Sequence, residues 1–205
     1  MGYLQPAEYQ AYGLSAETGD DWIATASALI EAYCRRCSLM ATEYVERIRL
    51  TPGCQTVRLS YGPLFSNALV GIRVRYGRPR RGENGPLDEP MLAQVAFAFG
   101  LPGSWSTLDL ASVDLNTGPR EVTFAANFLG LDYNEVEVTY TAGFVTVPVA
   151  VKVACAQIVK NAQATPALNV RSSKLDTMQM QYFSGSLIDP QVQALLRPFI
   201  AERLG

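Results

Sequence analysis

Histidine is missing from all 205 residues. The side chain that most often moves protons near neutral pH is therefore not available, and acid–base work would fall to a carboxylate or a lysine shifted by its surroundings. Cysteine is scarce as well, with four in the chain. Cys34 and Cys37 form a CxxC, but a zinc site needs two further ligands and only Cys54 and Cys155 remain to supply them. The redox reading fares no better. A helix ending at this position turns the negative end of its dipole toward the thiols, which opposes a thiolate, and Arg35 and Arg36 offset only part of that. Buried free thiols are the expectation. GxGxxG, GxxxxGK[ST] and GxSxG are all absent, which removes the usual dinucleotide, P-loop and nucleophile-elbow enzymes. Carboxylate pairs can be drawn at Asp109 with Asp114 and at Asp132 with Glu135, but neither sits in a motif. Asp132-Tyr133-Asn134-Glu135 lacks the glycine and the distal glutamate of a calcium loop and reads as a polar turn. No enzyme, no cofactor and no metal is expected.

Surplus charge and long apolar runs are absent too. Seventeen basic against nineteen acidic side chains leave a net charge of −2, which gives no overall attraction to nucleic acid or to an anionic membrane. No run of 18 apolar residues occurs, and MGYLQPAEYQ has neither a basic nor an apolar signal region. A cytoplasm-like compartment without a membrane is the expectation.

What is present is a globular composition. With 48% hydrophobic residues, a chain of this length buries roughly 70% of its unfolded surface and makes one or two domains. Its organising stretch is Glu135 to Lys160. There Val136, Val138 and Tyr140 alternate with Glu137 and Thr139 as in a half-buried strand. Gly143 permits a tight change of direction, Pro148 suits the first position of a helix, and only Lys152 and Lys160 are charged in the buried helix that follows.

Thr18 to Arg36 reads as an amphipathic helix. Thr18 and Asp21 resemble a capping box, and Trp22, Ile23, Ala26, Leu29, Ile30 and Tyr33 form its stripe. Asp20 and Asp21 lie in its first turn, Arg35 and Arg36 in its last. Upstream, PAEYQAY fits one short helical turn before Gly13. From Ala41 the period changes to two. Gln55 to Tyr61 and Leu69 to Tyr76 are the clearest strands; Tyr44 to Leu50, Leu92 to Phe99, Leu108 to Leu115 and Arg120 to Ala125 are weaker ones. Gly77 to Pro90 reads as a surface loop. With Arg73 and Arg75, its Arg78, Arg80 and Arg81 make the main basic concentration, either a solvated hairpin face or a contact for phosphate or an acidic partner. Residues 164–185 are polar and extended, and too long for an ordinary connector. Asp189-Pro190 then caps a short helix bearing Val192, Leu195, Leu196 and Phe199, which should end or kink at Pro198.

The expected fold is therefore α+β. A small helical framework, made of the N-terminal amphipathic helix, the central buried helix and the short C-terminal helix in residues 1–40 and 136–205, carries a β-rich antiparallel insertion in residues 41–135.

The helix ending in Tyr33-Cys34-Arg35-Arg36, the VTYTAGFVTVP turn into a small-residue helix, the extended VRSSKLDTMQMQYF segment and the terminal LLRPF together resemble the head-to-tail connector, or adaptor, proteins of tailed bacteriophages. The resemblance covers about half the chain, its two ends, and the long β-rich middle departs from the shortest members. It implies a ring subunit, commonly one of twelve, docked on the portal protein with the next connector or tail component below. DNA would pass through the channel without sequence-specific binding. The location implied is the virion, at the head–tail interface, after assembly in the host cytoplasm. By matching position it implies portal contact for Arg171, Ser172, Lys174, Asp176, Met178, Met180, Tyr182 and Phe183, with Leu195 and Phe199 of the terminal helix. Arg78, Arg80 and Arg81 are assigned to a neighbour, the tail side or the lumen. The alternative from another class is a β-rich module that binds a small ligand or glycan on Trp105 and nearby aromatics.

Overall fold

The computed structural model describes residues 2–51, 53–76, 91, 103–126, 133–164, 172–175, 178–181 and 187–202. Among these the chain forms α1 (Asp20–Cys34), β1 (Thr42–Arg49), β2 (Thr56–Arg58), β3 (Leu64–Arg75), β4 (Ser106–Thr107), β5 (Val113–Asn116), β6 (Glu121–Phe124), β7 (Glu135–Ala142), α2 (Val149–Ala164), β8 (Ser172–Leu175), β9 (Met178–Gln181) and α3 (Pro190–Leu196). The fold is mixed α+β. It divides into two compact units, residues 1–40 with 144–201 and residues 41–143 with 202–205.

In the sheet unit, four strands run antiparallel in the order β1-β7-β3-β4, and three more in the order β2-β6-β5. Period two places the core: Val136, Val138, Tyr140 and Ala142 of β7 are fully buried with Ile72 and Val74 of β3, and with Val57, Val122 and Phe124 of the smaller sheet. The insertion is expected to end at residue 135; the compact sheet unit runs through all of β7 to Gly143. β7 is paired on both edges, to β1 from Thr42↔Ala142 to Arg49↔Glu135 and to β3, so its hydrogen bonds tie it to the sheet. Gly143 has φ 126, a backbone setting that a side chain strongly disfavours, and the strand ends on it.

Several local expectations need correction. The strand expected at Gln55–Tyr61 is only Thr56–Arg58. Leu108–Leu115 begins instead with a 3-10 turn at Leu110–Ser112, because Asp109 Oδ1 accepts the Ala111 N–H at 3.0 Å and holds the backbone out of a ladder. The strand expected at Leu92–Phe99 and the loop Gly77–Pro90 lie outside the described residues.

In the helical unit, Ile23, Ala26, Ser27, Ile30 and Cys34 form the buried stripe of α1, facing Val151, Ala154, Cys155, Ile158 and Val159 of α2 and Val192 and Leu196 of α3. Trp22 lies one residue off that stripe, and the helical step of about 100° turns it outward; it is 42% exposed. The expected capping box does not form. The N-cap is Gly19, and Thr18 Oγ1 is buried with no partner among the described residues. Arg35 is not in the last turn but caps it in the left-handed region at φ 56. The single turn expected before Gly13 is two 3-10 turns, Pro6–Glu8 and Gln10–Tyr12, which carry Tyr9 inward.

α2 starts one residue after Pro148, whose carbonyl accepts the N–H groups of Val151 and Lys152. Half its length is buried, while Val149 and Val153 face outward. α3 is capped by Asp189, whose Oδ1 accepts the Val192 N–H at 2.7 Å, and gives way to a 3-10 turn at Arg197–Phe199, where Pro198 stops it. No helix among the described residues is long and apolar enough to cross a membrane.

Candidate functional site

The extended segment after α2 folds back on itself. β8 and β9 pair antiparallel, with Ser172 opposite Gln181, Lys174 opposite Gln179 and Leu175 opposite Met178. Ser172, Lys174, Met178 and Met180 of the expected partner set therefore meet on one hairpin. Among the described residues this hairpin is a sheet of its own, so both of its outer edges offer backbone N–H and C=O groups of the kind that pair with another chain. Arg171, Asp176, Tyr182 and Phe183 lie outside the described residues, as do Arg78, Arg80 and Arg81. Leu195 and Phe199 are placed differently from the rest. Both pack against the core of the helical unit, and Phe199 meets the ring of Phe144 edge-on at 5.5 Å between centroids.

The cysteine expectation holds for two residues of four. Cys34 and Cys155 are buried, and burial pushes each thiol up to about 11, away from thiolate chemistry. Cys37 is exposed and Cys54 partly so, because each sits in a connection and not on a core-facing stripe. No group of three or more Cys, Asp or Glu that would hold a metal ion occurs among the described residues. Asp109 caps a turn and Asp114 is exposed.

A second surface had only scattered signals in the sequence. On the face of the four-stranded sheet opposite its core, the register sets Arg47 and Arg73 on either side of Glu137, and Arg49 and Arg75 on either side of Glu135. Arg47 Nη2 and Arg75 Nε each lie 2.7 Å from Glu135 Oε2, and Arg73 pairs with Glu137 through Nε and Nη2. Trp105, just before β4, collects three of these cations, with Arg75, Arg47 and Arg73 at 4.7, 5.1 and 5.7 Å from its ring centroid. The readable signal was the i, i+2 spacing of Arg47/Arg49, Arg73/Arg75 and Glu135/Glu137. Only the strand register shows that the three pairs are neighbours.

Desolvation raises the Glu135 carboxyl, but the hydrogen bonds of Arg47 and Arg75 outweigh it and leave the group below its ordinary value of 4.5. A depressed folded value contributes stability that is whole above the unfolded value and is lost as pH falls through the folded one. The sheet unit should therefore weaken on acidification below about pH 4.5. Glu135→Gln should remove part of that acid dependence, which is checked by denaturant midpoints of both proteins at pH 7 and at pH values from about 5 to 3.

No protein-family model matches the chain, and no curated protein matches it.

Proposed function

We propose that the protein is a non-enzymatic adaptor subunit of a phage head-to-tail connector, forming a ring that docks on a portal protein and lets DNA pass. One observation carries this reading. Both ends of the chain build one helical unit, and within its C-terminal stretch β8 and β9 form a separate two-stranded sheet whose outer edges pair with no other described strand. Such edges favour docking by strand addition, in which main-chain hydrogen bonds supply affinity and neighbouring side chains supply selectivity. The outward valines of α2, Val149 and Val153, add apolar surface of the kind that packing between copies covers. In this reading the helical framework is the ring core and the sheet unit is an insertion within it. The near-neutral chain leaves DNA free to move along a channel.

The test replaces residues 171–183 by a Gly/Ser stretch of equal length. Attachment to portal-bearing heads should be lost, about a hundredfold or more in affinity for an interface of ordinary size, while the helical unit keeps its unfolding midpoint. Unchanged attachment would remove the hairpin from the interface and the reading with it.

A further inference from the structure

We propose that the arginine–tryptophan face of the four-stranded sheet receives the acidic first turn of α1 from a second copy of this chain. The inference deepens the ring reading and rests on it, since it names a contact between neighbouring subunits.

The face is built to present guanidinium groups. Glu135 and Glu137 are only 11% and 19% exposed, whereas Arg47 and Arg73 above them are 50% and 52% exposed. Each guanidinium carries five N–H donors. Arg75 spends its Nε on Glu135, Arg47 one Nη on the same oxygen, and Arg73 its Nε and one Nη on Glu137. Donors are left over on all three among the described residues, and with Arg49, 3.6 Å from Glu135, four arginines stand over two carboxylates. The side chains are already held, by the glutamates below and by the Trp105 ring beside them, so an incoming anion need not freeze them. Beyond these side chains β1 carries one exposed apolar residue before the exposed Glu43. Val45, two residues from Arg47 on β1 and opposite Thr139, is 60% exposed, and a Cβ at Gly71, on the other side of Thr139, would meet open space. Arginine and tryptophan are the residues enriched in protein-binding hot spots. Two carboxylates in the same rows make it a poor track for phosphate, and the chain as a whole is at −2.

The matching ligand is an acid beside an exposed aromatic. The chain offers that combination at the start of α1. Asp21 is exposed next to Trp22, which is 42% exposed, and Glu17 is exposed just before them, while Asp20 is held by the Tyr9 hydroxyl at 2.8 Å. Two different complementary patches on one chain make a heterologous contact, the kind that closes into rings.

A photo-crosslinking phenylalanine analogue at residue 22 of the full chain, assembled from a mixture of light and isotopically heavy copies, tests the pairing. Crosslinks should join residue 22 of one copy to residues 43–49, 69–75 or 103–107 of another. Glu17→Lys with Asp21→Lys should raise the concentration for half-assembly about tenfold or more, as loss of close charge pairs at an interface does. These positions are exposed and their side chains make no core contact, so beyond the small helix-dipole penalty at the start of α1 the fold should persist. Crosslinks elsewhere, or only within one copy, or assembly indifferent to the charge reversal, would overturn this contact and leave the ring reading standing. Salt-sensitive binding of duplex DNA that Arg47→Ala with Arg73→Ala abolishes would overturn it in favour of phosphate. A chain that never assembles, with or without portal, would overturn both.

Discussion

A chain ended after residue 186 should lose its helical unit and keep its sheet unit. α3 is short, but Val192 and Leu196 are fully buried against α1 and α2, and removing each forfeits about 1.5–3 kcal/mol of burial. Asn161 of α2, itself buried, donates to the Leu187 carbonyl at 3.3 Å and to Asp189 Oδ2 at 3.1 Å, so the truncation also strips a buried amide of these partners, at about 1–3 kcal/mol. The Ala201 N–H no longer reaches the Cys34 carbonyl. Together these come to about 4–9 kcal/mol, comparable with the whole stability of a small domain. Among the described residues the sheet unit loses only Glu202, which pairs with Arg58 at 2.8 Å and Arg120 at 2.6 Å and is 55% exposed; such pairs are worth about 1 kcal/mol or less. The two tryptophans make the test clean, because Trp22 lies in one unit and Trp105 in the other. With Trp105→Phe the truncated chain should show Trp22 fluorescence at its unfolded level without denaturant. With Trp22→Phe it should show a normal Trp105 transition. A native Trp22 signal would mean that α3 is dispensable. This is also why the docking segment is tested by replacing residues 171–183 and not by cutting the chain before them.

Tyr140→Ala should be the most damaging single substitution in the sheet unit, by about 3–5 kcal/mol. Tyr140 is fully buried in β7, the strand paired on both edges, its ring is 6.1 Å from that of Tyr44, and its hydroxyl donates to the Glu46 carboxylate while accepting the Tyr61 N–H at 3.2 Å. Burial first, and then Glu46, hold the phenol well above its ordinary value, so it remains a neutral donor through the physiological range. Tyr140→Phe keeps the ring and removes only these two bonds, and should cost about 1–3 kcal/mol. Ser60 still donates to Glu46 from its Oγ at 2.8 Å and its backbone N–H at 3.2 Å, which keeps the loss to the lower part of that range. Denaturant midpoints followed by Trp105 check both. Equal costs for Phe and Ala would show that the hydroxyl, and not the packed ring, holds the strand.

How legible this was depended on the range of the interactions. β7, the glycine turn and the start of α2 follow from alternation, a positive-φ position and a proline, all local, and they were readable to within a residue or two. The α1 cap was missed because Thr18 and Asp21 satisfy the motif while the backbone enters the helix at Gly19. Trp22 was misplaced because apolarity stood in for geometry on the stripe. The turn at Leu110 was missed because Asp109 competes locally with the ladder. Of the partner-binding set, residues 172–181 were drawn together by sequence order alone, whereas the packing of Leu195 and Phe199 against their own unit was not legible, because nothing local tells a docked helix from one packed on its own unit. The arginine–tryptophan face was beyond reach, since its members come from residues 47, 73, 75, 105 and 135 and only pairing across the sheet makes them neighbours.

Assembly is the claim on which all of this turns. Its most direct measurement is electron microscopy of the purified full chain, alone and mixed with a portal protein, with sedimentation of the same samples. Closed rings, formed by the chain itself or on the portal, are the predicted result. A monomer under both conditions, with no density added to the portal, would contradict it.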